Sequence, residues 1–318
     1  MSAMISIPET ATWLQSRDNY LILTHRRPDG DTIGCAGALA QGLRDCGKTA
    51  YLLHNPEITA RYMRFVEDYR APEGYEPDYT IMVDTASSDL FPKSGAKYAE
   101  AISLCIDHHP SNTLFGEYNC VYGSYASCGE IIYEILYTMS GAISAKAAEC
   151  LYAAVSTDTG CFVYANTSAN SHRVASFLIE AGAPYRELNK ILFRTKTRGR
   201  IKIESAICAG MEFHFNGAVA ISSITRDMIQ SACADEDDLD DIASLPGCVE
   251  GVLVGITIRE MSSPLDCKVS VRTTAQVNAN AICERFGGGG HAMAAGFTIK
   301  KSIPEIKEAL LETIRELL

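Results

Sequence analysis

The chain has 318 residues, near-average apolar content and a formal charge of −11. That length provides for two ordinary domains, each with its own core. The charge argues against a broad grip on duplex DNA, while leaving room for a small anionic substrate at a local positive site. Twelve cysteines are scattered as singles without C-x-x-C spacing, and the N-terminus lacks the charged and apolar parts of a secretion signal. No apolar run is long enough to cross a bilayer. The expectation is a soluble, cytoplasmic protein with reduced thiols and no membrane partner.

Residues 20–24 read as a buried strand, followed by the polar loop His25-Arg26-Arg27-Pro28-Asp29-Gly30-Asp31. Residues 32–46 place Ile33, Ala36, Leu39, Ala40 and Leu43 on one helical face, with Gly47 as the stop. Strands follow at 49–53, 79–85 and 103–107, with helix candidates between and after the last two. Residues 126–140 and 144–155 read as helices. This alternation predicts an α/β fold with a parallel sheet. From 168 to about 211 the chain is helical, broken near Gly182-Ala-Pro184. Strands at 218–223, 251–259 and 267–273 and helices at 277–286 and 302–318 predict a smaller α/β C-terminal unit. The expected division is a catalytic domain over 1–185, a helical linker over 186–215 and a second domain over 216–318. The acidic run at 235–241 reads as a solvated helix start or loop.

Chemistry concentrates where the apolar runs of the first half end. His25, Asp29, Asp31, Asp84 and His108 fall just after strands, where open α/β sheets bind ligands, and Asp158 follows an apolar helix. Four carboxylates and two imidazoles favour Mn²⁺, with Mg²⁺ as a weaker occupant, over a thiolate zinc site. Four negative charges suit two divalent cations; one would leave a crowded anionic cluster. Taken singly, each acid has an ordinary reading, because Asp-Gly-Asp is often a turn and a strand-terminal Asp often caps a helix. Four such matches in order outweigh that reading.

His25-x-x-Pro-Asp-Gly-Asp31, Val83-Asp84-Thr85, Asp107-His108-His109 and Thr157-Asp158-Thr159-Gly160, in this order, resemble the DHH phosphoesterase superfamily. Downstream, Gly287-Gly288-Gly289-Gly290-His291-Ala-Met-Ala-Ala-Gly296 is similar to the glycine-rich signature of its DHH-associated C-terminal domain. Length and layout resemble the NrnA-type group of oligoribonucleases and pAp phosphatases. The resemblance implies that His25, Asp29 and Asp84 hold one ion, and that Asp31, Asp84, His108 and Asp158 hold the other, with Asp84 bridging. It implies that His109 faces the scissile phosphate and that Asp107 fixes the paired imidazoles. It also implies an active site in the cleft between the domains. One departure is Arg27, where the motif often carries Asn before the proline; Arg26 and Arg27 either reach substrate phosphate or point into solvent.

The four glycines have a plain reading as a flexible linker. Against it, a compact segment and a strand follow at once, so Gly288, Gly289, Gly290 and His291 are expected to bind a substrate phosphate. Bare backbone amides and a short helix starting near His291 would supply the positive end. Arg272 resembles the family's strand-borne, phosphate-gripping arginine. The basic run Arg194, Lys196, Arg198, Arg200 and Lys202 reads equally as a solvated helix face or a polynucleotide contact. The single tryptophan, Trp13, lies far from these motifs, so no extended stacking platform is expected and short substrates fit best.

The expected activity is that of a two-metal phosphoesterase, and the resemblance implies that it acts on short oligoribonucleotides, on 3′-phosphoadenosine 5′-phosphate (pAp), or on both. The rival readings are a linear or cyclic dinucleotide phosphodiesterase, a RecJ-like single-strand exonuclease and a catalytically silent nucleotide-binding protein. Homodimerisation is left open.

Overall fold

The computed structural model describes residues 2–99, 101–274 and 276–317. The chain forms two compact units, Met1–Thr195 and Lys196–Leu318. No helix among the described residues is long and apolar enough to cross a membrane.

The first unit opens with β1 (Ala3–Met4) and α1 (Ile7–Gln15), whose start is closed by a reciprocal Ser6–Glu9 capping box. Next come β2 (Tyr20–Leu23), α2 (Gly30–Asp45), β3 (Ala50–Leu52), β4 (Tyr79–Val83), β5 (Leu104–Asp107) and β6 (Tyr118–Val121). The helices α3 (Cys128–Ser140), α4 (Ala145–Asp158), α5 (Ala169–Glu180) and α6 (Tyr185–Asn189) complete it. The strands form one sheet in the order β1-β6-β5-β4-β2-β3, and every pairing is parallel.

All four residues of β2 are buried, as expected of a parallel strand covered on both faces. Ile22, Ile81, Val83, Leu104 and Ile106 pack into the main core with α1 to α4. Leu21, Leu23 and Met82 face the other way, onto Leu53, Tyr75, Phe91 and Phe115. That second face is covered by loops and short 3₁₀ turns; over the described residues between β4 and β5 these are Ser88–Leu90 and Lys93–Tyr98, where a helix had been predicted.

A seam of glycines joins α2 to α4. A Cβ on Gly30 would lie 2.4 Å from the Thr157 hydroxyl, and one on Gly34 would lie 2.5 Å from the Cys150 carbonyl oxygen. The two helices therefore run antiparallel at close range. That approach sets Asp31, in the first turn of α2, beside Asp158, the last residue of α4.

The second unit contains α7 (Arg198–Ala209), β7 (Glu212–His214), β8 (Val219–Ile224), α8 (Arg226–Ala232), β9 (Val254–Glu260) and β10 (Asp266–Thr273). It ends with α9 (Ala279–Glu284), β11 (Gly289–Gly290), β12 (Ala294–Lys300) and α10 (Ile303–Arg315). The predicted last helix extended to Leu318, which lies outside the described residues. The sheet order is β11-β12-β10-β9-β8-β7; β8 and β9 are parallel and the other pairs antiparallel. Ile306, Leu310 and Ile314, spaced four apart on α10, bury one stripe against Val254, Val269 and Val271. The stretch expected as a linker is divided, with α6 in the first unit and α7 in the second.

The acidic run is not simply solvated. Asp238 is buried, accepts hydrogen bonds from the Thr197 hydroxyl and the Asp235 amide, and lies where any side chain on Gly199 would collide with it. Lys196 and Arg200 both pair with Glu204, and Arg200 also donates to the carbonyls of Asp238 and Asp240. Lys196 and Arg200 of the basic run are thus bound within the second unit, whereas Arg194, Arg198 and Lys202 are exposed.

The glycine seam makes a prediction. Gly34→Ala gains about 1 kcal/mol of helix propensity. Overpacking against the Cys150 carbonyl should cost roughly 1–3 kcal/mol or more. Urea denaturation should show a lowered midpoint; a raised midpoint would contradict the packing described.

Candidate metal centre

The C-terminal ends of β2, β4 and β5 lie side by side and deliver His25, Asp84 and the pair His108-His109. Asp84 adopts a left-handed backbone conformation (φ 50°), which is rare for a residue with a side chain. Its amide still donates to the Ile106 carbonyl (2.9 Å), so the strand edge is held while the side chain turns inward. Asp29 is the N-cap of α2, with Oδ1 accepting from the Thr32 amide (3.0 Å) and hydroxyl (3.1 Å). The capping role weighed from the sequence is real, and the same residue also joins a cluster of donors.

Donor atoms of His25, Asp29 and Asp84 lie within 4.8 Å of one another, as do those of Asp31, His108 and Asp158, and those of Asp84, His108 and His109. The Nε2 of His108 is 3.8 Å from Asp31, 3.5 Å from Asp84 and 3.6 Å from Asp158. All eight residues singled out in the first unit are therefore gathered at one place, Asp107 joining through His109.

Two of the buried carboxylates are held by specific donors. Asp31 accepts from the amides of Cys128 (2.7 Å) and Gly129 (3.0 Å), at the start of α3, and from the Cys35 thiol (3.3 Å). The Thr32 hydroxyl donates to Asp84 Oδ2 (2.7 Å). Among the described residues, two buried acceptors of the cluster have no hydrogen-bond partner, Oδ1 of Asp84 and Oδ2 of Asp158. Burial pushes the Asp31 carboxyl well up, aided by the charges of Asp84 and Asp158. Burial also raises Asp84, with Asp29 adding to the rise. Asp158 is lifted to about 7, chiefly by burial, with His108 opposing and Asp84 reinforcing the shift.

The imidazoles fall into two kinds. His25 Nδ1 meets the Arg26 carbonyl at 2.7 Å, and His108 Nδ1 meets the Tyr125 carbonyl at 3.2 Å. A carbonyl only accepts, so Nδ1 is the donor in both rings and Nε2 is the atom left to face a ligand. That is the arrangement found for histidines on metals. His109 differs, because its Nδ1 lies 2.7 Å from Asp107 Oδ1. Asp107 is fully buried and takes two further bonds, from the His108 amide (2.8 Å) and from Asn112 Nδ2 (2.6 Å). Burial works against its charge, but the bonds from His109 and Asn112 hold its carboxyl below the ordinary range. The same pair raises His109 to about 9. Asp107 thus orients one imidazole only; the resemblance had implied both, and the ring of His108 is set by Tyr125.

The donor set fits divalent cations. Unpartnered buried carboxylate oxygens, two imidazoles with open Nε2 atoms and a left-handed aspartate at the strand edge all converge. Burial pushes the thiols of Cys35 and Cys128 up, so they stay protonated beside Asp31 and offer no thiolate.

In the second unit, Arg272 lies on β10 opposite Gly255 and Ala294. His291 is exposed in the turn between β11 and β12, where its amide donates to Ala294 (2.8 Å) and its carbonyl accepts from Ala294 (3.2 Å). No helix begins there: pairing of Ala294 and Ala295 with β10 overrides the helical propensity of Ala-Met-Ala-Ala. The glycines are not a loose linker either. A Cβ on Gly288 would fall 2.4 Å from the Gly296 carbonyl oxygen, so the hairpin itself demands glycine. Gly289 and Gly290 are exposed along the same edge as His291. Sequence reading missed Thr32, Asn55, Asn112 and Asn166, single polar residues whose signal is their contact with the cluster and not any periodicity.

The raised carboxyls predict a pH dependence of the cation-free protein. The folded state binds protons that the unfolded chain has released, so stability falls as pH rises from about 4 towards the Asp158 value near 7. His109, raised to about 9, acts in the same direction above its ordinary value. Urea midpoints of chelator-treated protein should therefore be lower at pH 8 than at pH 5.5, with Mn²⁺ restoring the loss. A chelated protein more stable at pH 8 would contradict this reading of the cluster.

Residues 19–155 match the family model described as the DHH family, N-terminal domain, and residues 217–318 match the DHHA1 domain. The chain is 31% identical over 297 residues to the bifunctional oligoribonuclease and PAP phosphatase NrnA of Thermus thermophilus, covering 93% of this chain and 89% of that one. It is 27% identical to the protein of the same name from Bacillus subtilis, covering 89% and 90%. Its fold resembles an exopolyphosphatase-related protein from Bacteroides fragilis, with a TM-score of 0.87 at 20% identity over 98% of this chain and 96% of that one. With both halves matched in order and a relative similar over nearly its whole length, the chain belongs to the DHH family of phosphoesterases.

Proposed function

We propose that the chain hydrolyses short oligoribonucleotides to mononucleotides, and pAp to AMP, using two divalent cations, Mn²⁺ foremost. The observation that carries this reading is the convergence of Asp31, Asp84 and Asp158 on His108, with two buried carboxylate oxygens that no described residue hydrogen-bonds. His25, Asp29 and Asp84 would hold one cation; Asp31, Asp84, His108 and Asp158 would hold the other. Bound there, the cations would lower the pKa of water and offset charge on the phosphoryl oxygens.

The chain's own residues supply the rest. As water adds to phosphorus and the bond to the leaving oxygen breaks, that oxygen needs a proton. His109, kept protonated by Asp107, is the group to deliver it. Arg272, His291 and the amides of Gly288, Gly289 and Gly290 would hold a phosphate of the substrate. The names of the Thermus and Bacillus relatives support the same substrate pair. Twelve free cysteines suit a cytoplasmic enzyme.

Turnover of pAp and of a diribonucleotide should require Mn²⁺, stop with chelator and exceed turnover of a cyclic dinucleotide or long single-stranded DNA. Of the aspartate variants, Asp84→Ala should be the most damaging. Full activity after verified metal removal would sink the mechanism. His291→Ala and Arg272→Ala should raise KM roughly ten- to a hundredfold, the equivalent of about 1.5–3 kcal/mol for a charge-assisted contact. His109→Ala should instead lower kcat. A His291→Ala enzyme with unchanged kinetics on every substrate would remove the second unit from substrate binding.

A further inference from the structure

Asp31, His108 and Asp158 come from three separate elements, yet all three are tied to one short stretch, residues 125–129. The Tyr125 carbonyl orients the His108 ring (3.2 Å). The amides of Cys128 and Gly129 hold both oxygens of Asp31 (2.7 and 3.0 Å). Asn166 makes the third link, its Nδ2 donating to the carbonyls of Ala126 (3.0 Å) and Asp158 (3.1 Å).

One feature restricts this stretch, and another restricts the turn that follows Asp158. A Cβ on Gly129 would lie 2.7 Å from the Ala154 side chain and 3.3 Å from Asp31 Oδ1. After Asp158 and Thr159 the backbone turns left-handed for three residues, Gly160 (φ 56°), Cys161 (φ 56°) and Phe162 (φ 67°). Two of these carry side chains, so the turn is strained and persists because its surroundings hold it. Asn166 is the side chain that closes the segment back onto Asp158.

The other donors are supported elsewhere. Among the described residues, His25, Asp29 and Asp84 make no hydrogen bond to residues 125–129. Buried Asn55 donates to the His25 carbonyl (2.9 Å) and the Thr24 hydroxyl (3.1 Å), fixing the turn that presents His25 alone. Thr32 reaches both Asp29 and the shared Asp84.

We propose that residues 125–129 with Asn166 form a positioning frame for the Asp31, His108 and Asp158 half of the cation site, and that Asn55 serves the His25 half independently. The affinities of the two cation positions are then set by different residues. Neither Asn166 nor Asn55 touches substrate in this scheme; both act through the donors they orient. The inference rests on the cation reading given above.

Mn²⁺ titrations followed by electron paramagnetic resonance of the unbound ion test it, using the full chain in two backgrounds. Asp29→Asn keeps the cap but weakens the His25 half; Asp158→Asn weakens the other half. In the Asp29→Asn background, Asn166→Ala should weaken the remaining Mn²⁺ roughly ten- to a hundredfold, the usual effect of losing an outer support. Asn55→Ala should change it by less than about twofold. In the Asp158→Asn background the two effects should exchange. A general loss of structure would lower both affinities together, so the split is the informative readout. If Asn166→Ala does not fold, the isosteric Asn166→Asp, which removes the same donor, carries the test. Equal weakening in both backgrounds, or none in either, overturns the proposal while leaving the cation reading in place. Failure of the wild-type chain to bind any divalent cation overturns the cation reading and the proposal with it.

Discussion

Three carboxylates, Asp31, Asp84 and Asp158, are brought to within 3.8 Å of a single imidazole nitrogen, and among the described residues no lysine or arginine pairs with any of them. Buried charge of one sign is costly unless it is paired, protonated or metal-bound. The first unit is arranged around that constraint. The backbone amides of α3, the Thr32 hydroxyl and the Cys35 thiol each satisfy part of the charge, and two oxygens are left over. An ordinary stable core would have removed such a cluster; its retention is the physical reason to look for a cation.

The fold delivers this arrangement with few elements. Parallel strands end at one edge of the sheet, so His25, Asp84 and His108 meet without any long excursion of the chain. The glycine seam between α2 and α4 brings the start of one helix against the end of the other and so adds Asp31 and Asp158. Apart from His25 and Asp31, which share one loop and helix start, these residues lie far apart in the sequence, yet each stands within a residue or two of an element's end or start. The second unit carries a tight hairpin whose glycines permit close strand approach and leave His291 at the tip.

Much of this was legible in the sequence because strand-terminal acids interrupt apolar runs, and the runs themselves are continuous in a sheet buried on both faces. What was not legible has physical causes. β6 contains Asn119, fully buried because its amide bonds both backbone groups of Gly116, and such a residue does not look like part of a strand. The Ala-Met-Ala-Ala segment favours a helix locally, but hairpin pairing prevails. Asp238 sits in an acidic run that looks solvated, and only the fold shows it accepting the Thr197 hydroxyl. The outer supports Thr32, Asn55, Asn112 and Asn166 are isolated polar residues, and each has a partner at least 27 positions away in the chain, beyond the reach of any local pattern.

The most direct test of the account is the electron paramagnetic resonance spectrum of the chain loaded with two equivalents of Mn²⁺. Because Asp84 stands in contact with both donor groups, the account predicts a spin-coupled pair of bound ions, lost in Asp84→Ala. Two independent, uncoupled Mn²⁺ signals, or ions that remain free in solution, would contradict it.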